Sequence, residues 1–495
     1  MSRPTMTAAT DTGYITTIGI EVHVQLKTHS KMFCRCATSF AAPPNSNTCP
    51  VCLGLPGALP VMNKEAVRMT ILTGLMFGCT IAERCKWDRK NYFYADMPKN
   101  YQISQYDLPL CLDGGVPLHD LAYPKDAQKS IATPDKVVRL TRIHLEEDVA
   151  KSSHFGSTSG IDFNRAGCPL MEIVSEPDIN SAEEAFAYLT SLRQHLLYAG
   201  VSDANMEMGQ MRADVNISIR PIGQKDYNPK VEVKNVNSVS AVRRAILFET
   251  DRQIMAIQNG EALSQMTVRW DEASGGTIPM RSKEMAHDYR YFPDPDLLPV
   301  ETPELLAQVK GRLPELPTAK RARFIDSYGV TPYDAAVLAD DLELADWFER
   351  AAGPAPKRGK AIANLMMNEL LSALSSNGQT LADCPIAPGQ LGGLVELVDT
   401  GKITSKQAKE VFTEMFAHGK DAAAIVEEKG YKVADSSEIE KFVDEAIAAN
   451  PKPAQEYAEG NDKSLNFLKG QVMRLSKGQA DPSLIGELIE KKLRG

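Results

Sequence analysis

Glu21, His23 and Gln25 alternate with Ile20, Val22, Val24 and Leu26, and far along the chain Arg212, Asp214, Asn216, Ser218 and Arg220 alternate with Ala213, Val215, Ile217 and Ile219. Carboxylate beside imidazole binds hard divalent cations, and Arg with Asp and Asn orients phosphates or carboxylates. In the stretch Val231–Val236, Glu232 and Lys234 share one side in the same way. Alternation with period two predicts strands with one apolar face and one face crowded with functional groups. The plain reading of any one of them is a half-solvated strand, but such faces usually carry Lys, Glu and Thr.

A lone acid, Glu172, sits among aliphatics in Leu170–Val174, which is costly unless it is paired or bound to a cation. Glu21, His23 and Glu147 are its candidate companions in a hard-cation site, with Glu146 as a neighbour; a strand Glu paired with an Arg is the simpler alternative. Cys34 and Cys36, then twelve residues, then Cys49 and Cys52 form a CxC and CxxC pair that suits one tetrahedral zinc with no open position. Such a site pins a loop and does not catalyse. Four small buried thiols in a reduced protein are the competing reading.

The segment Trp87–Tyr101 interleaves bases with aromatics, so Arg89, Lys90 and Tyr92 are candidates to clamp the phosphates and stack on the base or ribose of a nucleotide. Asp288–Asp296 has similar composition, and its prolines predict a rigid loop. Gly353–Lys360 resembles a phosphate-binding loop only superficially: Ala361 replaces the required hydroxyl and a helix precedes it, so it reads as a linker. Near the end, Lys463, Lys469, Arg474 and Lys477 interleave with Phe467, Leu468, Val472 and Leu475. A basic face on an acidic chain fits either a solvated surface or a polyanion such as RNA.

These residues need a scaffold, and 495 residues with 43% hydrophobic and 24% charged content suffice for two to four globular domains. The net charge of −9 argues against a protein that coats nucleic acid over its whole surface. An odd number of cysteines, nine, with four clustered, argues for reduced thiols or a metal over a disulfide framework. No run reaches bilayer length and the first fifteen residues lack an apolar core, which predicts a cytoplasmic protein. The expected fold is α+β: residues 1–300 rich in antiparallel strands, an all-α domain over 301–425, and a small helical tail over 426–495. Helices are expected over Lys64–Phe77, Ser181–Ala199 (a capping box from Ser181 and Glu184) and Val239–Asn259.

In order along the chain, Ile18–His23, Pro44–Thr48, Asp88–Tyr94, Tyr101–Gln105, Val174–Asp178, Gly200–Asp203 and Asp288–Pro293 resemble the B subunits of tRNA-dependent aspartyl/glutamyl amidotransferases. The resemblance runs over nearly the whole chain. It implies a cradle-shaped N-terminal domain on antiparallel sheet, then a helical domain and a tail that contacts tRNA. It further implies ATP-dependent phosphorylation of the side-chain carboxylate of misacylated Glu-tRNA(Gln) or Asp-tRNA(Asn), then amidation by ammonia. An amidase subunit releases that ammonia from glutamine, and a small third subunit completes the heterotrimer. On this basis Glu21, His23, Glu147 and Glu172, with Glu146 beside them, are the expected Mg²⁺ set. Arg212, Asp214 and Lys234 are expected to organise phosphates or the acceptor carboxylate. Zinc is not established by the resemblance, because the knuckle varies within the family. The rival readings are a non-catalytic tRNA-binding scaffold of an amidase complex and a zinc-dependent hydrolase, the latter disfavoured by a four-sulfur set.

Overall fold

The computed structural model describes residues 13–131, 134–280, 288–431, 436–476, 479–480 and 482–495. Five long strands form the centre of a ten-stranded sheet: β1 (Tyr14–Gln25), β2 (Val137–Glu147), β3 (Pro169–Ser175), β4 (Met211–Pro221) and β5 (Val231–Val236). Their spatial order is β5-β4-β1-β3-β2, extended beyond β5 by Met266–Asp271 and Gly276–Pro279 and beyond β2 by short strands. The five central strands pair antiparallel, whereas β5 runs parallel to Met266–Asp271. The alternation expected from sequence holds: Ile18, Ile20, Val22 and Val24 of β1 and Val215, Ile217 and Ile219 of β4 are fully buried. Each such side chain contributes about 1.5–3 kcal/mol of burial.

Two irregularities re-aim side chains. Between β3 and β2 the register runs Val174↔Arg142 and then Ser175↔Leu140, so Thr141 is an extra residue on β2. Val138 and Leu140 precede it into the core and Ile143 and Leu145 follow, a spacing of three across the bulge. Strict alternation would have sent Arg142, His144 and Glu146 to the same side as Leu140; the bulge turns them to the opposite face. A second shift lies between Ala213 and Val215 of β4, where Asn235 takes the left-handed region at φ 64°. Asn tolerates this backbone better than most residues.

The apolar face is covered by α1 (Lys64–Met76), α2 (Ala182–Tyr198) and α3 (Val239–Gln258), close to the expected spans. Ser181 caps α2 by accepting from Glu184 N at 3.1 Å. The expected reciprocal bond differs: Glu184 accepts instead from Asn180 N at 2.8 Å and binds Lys136 at 2.7 Å. Asn63 caps α1 through Oδ1, accepting from Glu65 N (3.0 Å) and Ala66 N (3.3 Å), while its Nδ2 donates to Ser30 O at 2.9 Å. Asn63→Ala removes both the cap and this tie, and is expected to cost about 1–2 kcal/mol in urea denaturation followed by tryptophan fluorescence. An unchanged midpoint would show that the loop, not the cap, holds this helix start.

Residues 1–316 and 317–495 form two compact units. The helix Pro303–Lys310 packs through Leu305 and Val309 into the core of the first. The second is helical with two cores, one between Phe324 and Ile425 and one between Ile439 and Ile489. The Gly353–Lys360 segment joins helices, as a linker would. Among the described residues no helix is long and apolar enough to cross a membrane.

Candidate active site

The face of the sheet opposite the helices carries the chemistry. Register sets His144, Glu172, His23 and Arg212 in one row across β2, β3, β1 and β4, and Arg142, Val174, Glu21 and Asp214 in the next. A three-stranded ribbon of Asp88–Asn91, Tyr101–Ser104 and Phe292–Pro293 contributes Lys90 and Ser104. From these rows and the ribbon, His144, Glu172, His23, Arg142, Glu21, Asp214, Lys90 and Ser104 line a cavity of about 260 Å³ together with Tyr106, Tyr289 and Tyr291. Tyr106 and Tyr291 stack at 4.2 Å, forming one wall.

At its floor His23 Nε2 lies 3.4 Å from Glu172 Oε2 and 3.7 Å from Glu146 Oε1, and His144 Nε2 lies 3.6 Å from Glu172 Oε2. One donor atom from each of His23, Glu146 and Glu172 falls within 4.8 Å of the others, close enough to converge on one ion. Burial opposes ionisation of Glu172, yet His144, His23 and Lys90 outweigh it and hold this carboxylate well below the usual range. Burial, reinforced by Glu172, lifts Glu146 above it. Burial, then Glu172 and Asp214, lifts Glu21 as well. Crowded acids of this kind are relieved by a bound cation, so the donor set fits magnesium. Burial pushes His144 down to about 4, leaving it neutral at physiological pH. Lys90 stays protonated: burial disfavours its charge, but Glu146, Tyr291 and Glu172 overcome that.

The expected residues divide. Glu21, His23, Glu172, Asp214, Lys234 and Lys90 line the cavity. Glu21 accepts from Asn216 Nδ2 at 3.2 Å, and Lys234 is held by Asp214 (2.6 Å) and Glu232 (3.1 Å). Glu146 converges with His23 and Glu172 and Glu147 does not: neighbouring strand residues point apart, and Glu147 is taken by Lys99 at 2.5 Å and Ile103 N at 3.0 Å. Arg212 donates to Asp148 at 3.0 Å, away from the cavity lining. Arg89 is bound by Asp294 (2.7 Å) and Asp296 (3.0 Å) and stacks on Tyr101, while Tyr92 sits beside Tyr289; neither lines the cavity. Arg142 and His144 also line the cavity and were not among the residues expected from sequence, although they stand on the same strand as Glu146 and Glu147.

Cys34, Cys36, Cys49 and Cys52 converge with all sulfurs within 4.8 Å. A hydrogen bond from Cys34 outweighs burial and holds Cys52 down at about 4, with Lys31 assisting. Burial pushes Cys36 up to about 11. The set can hold a structural metal and is compatible with zinc. In the helix Lys463–Leu475 near the end of the chain, Lys463 and Arg474 are exposed, whereas Lys469 is half-buried with its Nζ over Gly486. Lys477 lies outside the described residues. Leu468 and Val472 are buried as expected, but Phe467 is 47% exposed.

Comparison with known proteins agrees with this architecture. The family model described as "GatB/GatE catalytic domain" matches residues 16–308, and that described as "GatB domain" matches residues 346–493. A relative from Methylacidiphilum infernorum, by its name the B subunit of an aspartyl/glutamyl-tRNA(Asn/Gln) amidotransferase, is 55% identical over 484 residues, covering 97% of this chain and 99% of its own. Proteins of the same name from Carboxydothermus hydrogenoformans and Geobacter sulfurreducens are each 48% identical, over 487 and 490 residues, and cover 97% of this chain and 99% and 100% of their own. With a sheet-borne acid and imidazole cluster, a cysteine knuckle and a helical second unit in one chain, this protein belongs to the family of amidotransferase B subunits.

Proposed function

We propose that this chain is the ATP-dependent subunit of a cytoplasmic, glutamine-hydrolysing tRNA amidotransferase, converting Glu-tRNA(Gln) or Asp-tRNA(Asn) to Gln-tRNA(Gln) or Asn-tRNA(Asn). It works with an amidase subunit and a small third subunit. The observation that carries this reading is the convergence of His23, Glu146 and Glu172 beside Lys90 in a polar, tyrosine-walled cavity.

The chemistry requires activation because a carboxylate would have to expel oxide. Transfer of the ATP γ-phosphoryl group to the side-chain carboxylate supplies a leaving group that ammonia can displace. Magnesium, held by His23 Nε2, Glu146 and Glu172 with Glu21 adjacent, would neutralise phosphate charge. The chain's own groups then perform the positioning. Lys90 presents a fixed positive charge to incoming anions. Neutral His144 orders Glu172 from the side opposite His23. Asp214 and Glu232 fix Lys234 at the far side of the cavity, where it can steady phosphate or acceptor oxygens. Tyr106, Tyr289 and Tyr291 line the cavity as an aromatic wall, which would limit the water that competes with ammonia for the activated acyl group. The exposed Lys463 and Arg474 belong to the tRNA-facing tail in this reading.

The test is ADP release by the purified heterotrimer given ATP, Mg²⁺ and glutamine, with and without each misacylated tRNA. ADP formed only with a misacylated tRNA is the expected result and identifies the substrate. Assembly and tRNA binding without ADP release would instead favour a tRNA-binding scaffold.

A further inference from the structure

Among the described residues Arg142 is the one arginine that lines the cavity, and it differs from the arginines nearby. Arg212 and Arg89 are neutralised by Asp148 and Asp294, and Arg139, three residues from Arg142, by a two-pronged contact with Asp178 at 2.9 and 2.7 Å. Arg142 lines the same cavity as Glu21, Glu172, Asp214 and Glu232, yet among the described residues its side chain makes no ion pair or hydrogen bond. Its Nε is shielded from solvent without an acceptor, and the adjacent buried His144 Nδ1 also lacks a partner. A buried donor without an acceptor is costly. The extra residue at Thr141 turns Arg142 into this position; without the bulge it would face the core. Arg142 and Lys234 stand on the outer strands of the five, roughly 19 Å apart across four strand spacings. Lys234 is satisfied by two acids and Arg142 is not.

We propose that Arg142 receives the anionic oxygens of a substrate, gripping with its planar fork either the side-chain carboxylate of the aminoacyl group or a phosphoryl group of the nucleotide. This rests on the reading of the cavity as a phosphoryl-transfer site. A planar two-pronged donor suits a two-oxygen acceptor better than the single ammonium of Lys90 does.

The test compares wild type, Arg142→Gln and Arg142→Lys in the assembled heterotrimer. Steady-state ADP release is measured while aminoacyl-tRNA and ATP are varied separately, alongside filter binding of Glu-tRNA(Gln), uncharged tRNA(Gln) and ATP. Arg142→Gln should raise KM for one anionic substrate roughly tenfold to a hundredfold and leave the other within about threefold. A rise for aminoacyl-tRNA, with loss of preference for charged over uncharged tRNA, assigns the carboxylate; a rise for ATP assigns the phosphate. Arg142→Lys should recover part of the loss, which a merely structural role would not produce. Both KM values and all binding constants within about threefold of wild type overturn the proposal. If wild type releases no ADP the phosphoryl-transfer reading fails on its own, and the binding measurements still decide whether Arg142 holds an anion.

Discussion

Glu172→Gln is expected to lower tRNA-dependent ADP release by roughly a hundredfold to a thousandfold while the heterotrimer still assembles and binds tRNA. The exchange is isosteric, so packing on β3 survives. What is lost is the negative charge that His23 and His144 approach from either side at 3.4 and 3.6 Å. His23 and Lys90 hold Glu172 ionised against its burial, whereas burial lifts Glu146 and Glu21 above the usual carboxylate range. Glu172 is therefore the acid of the three whose surroundings most favour its charged form. Removing it weakens cation capture more than removing a neighbour. ADP release within about threefold of wild type at saturating Mg²⁺ would exclude Glu172 from the cation set.

The second large effect concerns the cysteine knuckle. Purified under reducing, chelator-free conditions, the chain is expected to carry equimolar zinc, and Cys52→Ser to lose it together with several kcal/mol of stability, on the order of what structural zinc confers. Cys52 is buried, holds its charge most readily and lies 3.5 Å from the ammonium of Lys31, which also donates to Phe163 O at 3.1 Å. Four thiolates around one dication leave excess negative charge, and a buried Lys is a reasonable counterweight. Elemental analysis and thermal denaturation of both proteins check this. Metal-free protein with wild-type thermal stability would reduce the knuckle to a cluster of packed thiols.

The extent to which the site was legible in sequence varied with the physics involved. β1 and β4 were readable because both alternate over a long span and one face of each is wholly aliphatic. The cysteines were readable because four sulfurs at that spacing leave few geometries. Glu146 and Glu147 were not separable, since which of two adjacent acids faces the cavity depends on a bulge five residues upstream. Arg89 looked available for phosphate because its partners, Asp294 and Asp296, lie about two hundred residues away in a loop whose path no local pattern reveals. Arg212 is likewise paired with an acid remote in sequence, Asp148, and does not line the cavity. In the tail, Leu468 and Val472 are buried, whereas Phe467, which interleaves with the same basic residues in sequence, is exposed like Lys463 and Arg474.

The extra residue at Thr141 makes strand length, more than side-chain identity, the quantity on which the site depends. Among the described residues the Thr141 side chain reaches only Glu176, at 2.7 Å on the exposed rim, so many residues could replace it. Deleting it would exchange inside for outside along the rest of β2, driving an arginine, a histidine and a glutamate into hydrocarbon and bringing Ile143 and Leu145 into the cavity. Variation at this point of the chain is thus open to exchange and closed to slippage.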